Sequence, residues 1–142
     1  MSSAVVVDAC FVLRLVVEDA TSGAAEAKWR EWRGEGRATL APRLLLFEAA
    51  NALHQYVRHG AFSAARAEEA LEALLGLGLT IDDDERCHRE ALRLAQQLSQ
   101  NAAYDSHYLA LAALRRCELW TADGRLVRAV GGRFPRLRLL GG

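Results

Sequence analysis

Short apolar runs alternate with amphipathic stretches along the whole chain. Ala4-Val5-Val6-Val7 is β-branched and apolar and stops at Asp8, which predicts a buried parallel strand. Residues 10–17 predict a helix, with Phe11, Leu13, Leu15 and Val16 as its apolar surface. A polar break over 18–23 separates it from a second helix over 24–33. Trp29 and Trp32 fall three apart on one face there, a spacing that suits packing. Gly34 and Gly36 punctuate, and residues 38–40 predict a brief strand. Pro42 opens a long helix, where its missing N–H does no harm, and the pattern runs from Arg43 to about Arg58. Glu48, Asn51 and Gln55 form its polar stripe. Ser63 caps the next helix, which ends at Gly76. A third strand is expected over 77–81, followed by the acid run Asp82-Asp83-Asp84-Glu85 and a helix to about Leu98. The acid run suits the positive end of that helix better than it suits a metal. Asp105 opens a further helix, residues 118–121 predict a buried strand, Gly124 starts a helix, and residues 137–140 make a last edge strand. Strands alternating with helices imply an α/β domain, a parallel sheet with helices on both faces, in one unit over 1–142.

Composition narrows the picture only in places. The chain has 142 residues, 51% of them hydrophobic, enough for a core in one domain. No apolar run approaches the ~20 residues that span a bilayer, so no membrane partner is expected. Met1-Ser2-Ser3 brings no basic segment before the first apolar run, which argues against a secretory signal. Formal net charge is zero, so a broadly basic nucleic-acid surface is not indicated, although local patches matter more than the sum. Lys28 is the only lysine, and the arginines that replace it suit bidentate phosphate contacts but equally fit a composition bias. Cys10, Cys87 and Cys117 are few, odd in number and without C-x-x-C spacing. A disulfide framework and a structural zinc site are therefore not expected, and a reducing cytoplasm fits. Cys87 and His88 are neighbours in a helix and do not face each other.

Topology gives four acids a common address. In a parallel sheet the strand C-termini and the helix N-termini share one edge, where ligands of open α/β sheets bind. Asp8 ends the first strand, Asp123 follows the fourth, Asp105 begins a helix, and Glu48 lies near the second turn of the helix after strand two. Phe47, Ala49 and Ala50 surround Glu48, an apolar setting in which a carboxylate needs a partner. Clustered carboxylates repel and raise one another's pKa, and a cation resolves the repulsion. Oxygen-only ligands favour Mg²⁺ or Mn²⁺, which polarise phosphoryl groups and activate water. Metal-assisted phosphodiester hydrolysis is the matching reaction class. The alternative is that each acid serves as a separate cap or turn residue.

Four segments in order resemble a known family. They are Val6-Val7-Asp8-Ala9, Phe47-Glu48-Ala49-Ala50-Asn51-Ala52-Leu53, Tyr104-Asp105-Ser106-His107-Tyr108-Leu109-Ala110-Leu111-Ala112 and Thr121-Ala122-Asp123-Gly124-Arg125-Leu126. Together they resemble the PIN-domain nucleases, specifically the small VapC-like toxin ribonucleases of type II toxin–antitoxin pairs. The resemblance implies a PIN-like sheet of four to five strands. It implies that Asp8, Glu48, Asp105 and Asp123 hold one or two divalent ions, Mg²⁺ or Mn²⁺, and that water activated there attacks an RNA phosphate. Thr121 is expected to orient Asp123 or a water, and Asn51, one turn along from Glu48, to support the metal site by a hydrogen bond. Cys10 departs from the small hydroxyl residue of many relatives. His107, two residues past Asp105, is a candidate general acid, with an exposed helical histidine as the plainer reading. The family also implies a homodimer and a cognate antitoxin lying along a groove, for which the Arg43 and Ser63 helices, rich in Leu and Ala, are candidate contacts.

Two other classes compete. A phospho-acceptor signalling domain would need an acid pair at the end of the first strand and a lysine after the last, and this chain has neither. A non-catalytic PIN-like interaction module would share the fold, and retention of all four acids argues against it.

Overall fold

The computed structural model describes residues 4–141, so the Met1–Ser3 segment read above lies outside the described residues. Its core is a sheet of five parallel strands in the order β3-β2-β1-β4-β5. The strands are β1 (Ala4–Val7), β2 (Ala38–Ala41), β3 (Thr80–Ile81), β4 (Leu119–Thr121) and β5 (Leu137–Leu139). The helices are α1 (Ala9–Val16), α2 (Ser22–Gly34), α3 (Leu44–Arg58), α4 (Ala64–Leu75), α5 (Arg86–Gln97), α6 (Tyr104–Arg115) and α7 (Gly124–Val130), and a 3-10 turn spans Gly131–Arg133.

β1 is the middle strand because it is wholly apolar. Val5, Val6 and Val7 are all 0% exposed. Successive side chains on a strand point to opposite faces, so helices must cover the sheet on both sides. The chain runs outward from β1 through β2 to β3, then returns to build β4 and β5 on the other flank. The order therefore reverses between β1 and β4, and the crevice at their carboxyl ends is the switch point where open α/β sheets place ligands.

Packing explains the remaining elements. Trp32 stacks on Phe11 with ring centroids 5.4 Å apart and meets Trp29 and Trp120 edge-on at 6.2 and 5.9 Å, which places the tryptophan pair in the core. α6 is largely buried, with Ser106 and 108–112 inside, and lies against α5 and β1. It begins one residue before Asp105, and Arg116 in the left-handed region (φ 53°) closes it. Ser63 caps α4 by accepting from Arg66 N at 3.1 Å. The third strand is shorter than its apolar run. Gly78 has φ +81°, which breaks extended backbone after Leu77, so only Thr80–Ile81 pair with β2.

The acid run stands at the start of α5, where Asp84 Oδ1 accepts from Arg86 N at 3.0 Å, and it is also an ion-pair node. Glu85 at the start of α5 makes no side-chain cap. Asp83 pairs with Arg43 at 2.7 Å, Asp84 with Arg86 at 2.6 Å, and Arg115 reaches both Asp82 (2.7 Å) and Asp84 (3.0 Å). The Arg86 guanidinium and backbone N–H hold Asp84 well below the usual carboxylate range. The three cysteines are free, and Cys87 and Cys117 are buried. Among the described residues no helix is long and apolar enough to cross a membrane.

Candidate metal centre

Asp8 follows β1 and opens α1. Its Oδ1 accepts from Phe11 N at 2.8 Å, capping the helix, and its Oδ2 accepts from the Thr121 hydroxyl. The side chain is only 5% exposed. Burial pushes its pKa up to about 7, against the hydrogen bonds from Thr121 and Phe11, and Asp105 and Asp123 add repulsion. Asp123 follows β4 and caps α7 by accepting from Arg125 N at 2.9 Å. β1 and β4 are paired neighbours, so both acids leave the sheet side by side.

Glu48 comes from the second turn of α3 and receives a hydrogen bond from the Tyr108 hydroxyl on α6. Burial raises its pKa, the Tyr108 bond opposes this, and Asp105 adds to the rise. Asp105 stands in the first turn of α6 at the exposed mouth of the same cleft and caps nothing. Partial desolvation in the cleft raises its pKa first and the charge of Asp123 second, with Arg125 pulling the other way.

The four acids line one cleft of about 270 Å³, together with Cys10, Arg14, Tyr56, Tyr108 and Arg125. Four separate elements thus deliver all four predicted acids to one place. Thr121, 0% exposed, lies directly behind them: its oxygen donates to Asp8 and accepts from Asp123 N at 3.0 Å. The sequence pointed to Asp123 or a water; the hydroxyl holds the backbone of Asp123 and, in addition, orients the carboxylate of Asp8. Asn51 is not brought in. It is exposed on α3, whose cleft face is Glu48, Ala52 and Tyr56. Tyr108 makes the bond to Glu48 instead. Its signal in the sequence is the i+3 spacing from Asp105, which puts both on one helix face. His107 lines a different and larger depression of about 540 Å³ with Phe47, His88 and Tyr104. There its Nδ1 donates to Ala103 O at 2.8 Å and its Nε2 faces His88 Nδ1 at 3.0 Å. Cys10 lines the acid cleft, and burial first, then Asp8, pushes its thiol up to about 11, so it is a neutral wall.

The donor set fits a hard divalent cation. It is all oxygen, it comes from four carboxylates, and three of them carry raised pKa values that a cation would reverse. Among the described residues no three Asp, Glu, His or Cys side chains stand close enough to hold an ion as placed. Asp8 is turned instead toward Phe11 and Thr121, Glu48 toward Tyr108, and Asp123 toward Arg125.

Comparison with solved structures finds the fold in the crystal structure of PAE2754 from Pyrobaculum aerophilum. The TM-score is 0.67 at 27% identity, covering 93% of this chain and 90% of that one. No curated protein matches. The PIN domain family model matches residues 5–132, from β1 into the turn after α7, and the chain belongs to the PIN domain family, whose members are generally metal-dependent nucleases.

Proposed function

We propose that this protein is a divalent-metal-dependent endoribonuclease and the toxin of a type II toxin–antitoxin pair. The observation that carries the reading is the single cleft into which β1, α3, α6 and β4 deliver Asp8, Glu48, Asp105 and Asp123. These four would hold Mg²⁺ or Mn²⁺. Such an ion polarises a phosphoryl oxygen, activates water and stabilises the leaving oxygen. The chain's own groups do the rest. Thr121 and Phe11 N fix Asp8 from behind, so that one carboxylate is aimed before any ligand arrives. Tyr108 does the same for Glu48 from across the cleft. The Ala9, Leu13 and Ala52 side chains give the cleft apolar walls, which strengthen every charge inside it.

The toxin role, the homodimer and the antitoxin partner follow from the sequence resemblance. A groove between α3 and α4, lined by Leu53, Val57, Ala67 and Leu71 among others, supports an apolar segment as antitoxin contact. The non-catalytic reading draws on one observation, that Asp8 and Asp123 both serve as helix caps. Single-stranded and looped RNA incubated with rigorously purified protein, with Mn²⁺ and with excess EDTA, separates the two. Cleavage that needs the metal is expected, and undiminished cleavage in EDTA overturns the metal-dependent reading.

A further inference from the structure

The acid cleft poses a charge problem. A polyanionic strand has to enter a space lined by four carboxylates, and one divalent ion removes only half of that charge. Two guanidiniums line the same cleft, Arg14 from α1 and Arg125 from α7. With them, one divalent ion leaves the cleft formally neutral; without them it stays doubly negative and repels phosphate.

The two arginines are built differently. Arg14 is fixed. Its Nε lies 2.7 Å from Asp19, which is outside the cleft, and its Nη2 reaches the weak acceptor Cys10 Sγ at 3.7 Å. Its Nε is buried and, though near Asp19, makes no hydrogen bond, so the guanidinium stands at the wall with donor capacity to spare. Arg125 is a free arm. Its side chain is 86% exposed and touches Asp123 Oδ1 from Nε at 3.3 Å. That contact is long and solvated, and so weak enough to exchange for a phosphate.

We infer that Arg14 and Arg125 are the phosphate-binding residues of the cleft, holding the RNA backbone phosphates that adjoin the one cleaved. This rests on the nuclease reading above. Arg14 sets the register of the strand, and Arg125 closes onto it from the opposite element. A planar, forked donor suits both tasks better than an ammonium does.

The test is the salt dependence of binding. A non-cleavable 2′-O-methyl single-stranded oligonucleotide is titrated by fluorescence anisotropy from 50 to 300 mM salt. Each phosphate contact contributes about 0.7 to the slope of log K against log [salt] for a single strand. Arg125→Gln and Arg14→Gln are each expected to flatten the slope by about 0.7, and to raise KM for RNA cleavage more than they lower kcat. Arg30→Gln, exposed on α2 and outside the cleft, is expected to keep the parent slope. Parent slopes in both cleft variants, or an equal loss in Arg30→Gln, overturn the inference. Should Arg14→Gln fail to fold, Arg14→Lys is expected to keep the slope with weaker binding, and parent-like binding overturns the role of Arg14. A parent that neither binds the oligonucleotide nor cleaves the unmodified RNA of the same sequence overturns the nuclease reading itself. A parent that cleaves the unmodified RNA, with unchanged slopes in the variants, overturns this inference alone.

Discussion

The Thr121 hydroxyl donates to the Asp8 carboxylate from the neighbouring strand, and the same oxygen accepts the N–H of Asp123. One buried hydroxyl therefore ties together the ends of β1 and β4. Thr121→Val keeps the shape and removes the oxygen. Asp8 loses a donor and Asp123 N–H loses its acceptor, so a stability loss of about 1–3 kcal/mol is expected. Metal affinity or cleavage rate should fall ~10–100-fold, the usual cost of losing such support. Thr121→Ser should restore both. Thermal unfolding beside calorimetric Mn²⁺ titration reads the result, and a Val variant with parent metal affinity would remove Thr121 from the site.

Asp8 gives the metal-free protein a pH dependence. Its folded pKa is about 7 and its ordinary value is 3.8. Between these limits the folded state holds a proton that the unfolded chain has released. Stability therefore falls as pH rises from about 4 to about 7 and levels off above that. Asp8→Asn has no such group. In EDTA, its melting temperature should match the parent near pH 4 and exceed it by ~5 °C or more at pH 7.5. A parent that gains stability over this window relative to the variant would show that Asp8 is ionised and compensated.

Asp105 contributes charge to the cleft but no cap, so its removal should cost the fold nothing. Asp105→Asn is expected to melt at or above the parent in EDTA and to lose RNA cleavage. Ligand binding stabilises by RT ln(1 + [L]/Kd), so Mn²⁺ should raise the parent's melting point and raise the variant's far less. Equal metal shifts and equal activity would place Asp105 outside the metal site.

Tyr108 and Asn51 provide a matched pair. Tyr108 is 1% exposed and bonds Glu48, whereas Asn51 is exposed and off the cleft. Tyr108→Phe should weaken metal affinity or rate ~10–100-fold and raise the pKa of Glu48. Asn51→Ala should leave activity at limiting metal within twofold of the parent. The reverse pattern would return the supporting role to Asn51.

Much of this was legible in the chain, for identifiable reasons. The strands announce themselves because each is a short apolar run between turn residues, and β1 does so most clearly through its three valines. The four acids are legible because topology alone puts strand ends and helix starts on one edge. Side-chain direction is where the reading stops. Asn51 and Glu48 share a polar stripe, but the turn of α3 against the cleft chooses Glu48, Ala52 and Tyr56. Asp82 to Glu85 look like a helix start, and only the fold shows Arg43, just before α3, and Arg115, in the last turn of α6, arriving to pair with them. The short β3 hides for a local reason: a glycine in an apolar run does not declare a positive φ.

The central position of β1 has a consequence for biosynthesis. β1 is made before every other strand of this sheet, yet it stays paired on one side only until β4, its second neighbour, has been made. Asp8 waits 113 residues for the hydroxyl that aims it. Contacts that distant form slowly and only late in the chain's growth. A nascent or truncated chain that stops before Leu119 carries Asp8, Glu48 and Asp105 and can pair β1 with β2, yet it has no strand for the other side of Val6 and Val7. The cleft thus cannot assemble on a chain that stops before β4, and the activity proposed above would stay silent until that strand has been made.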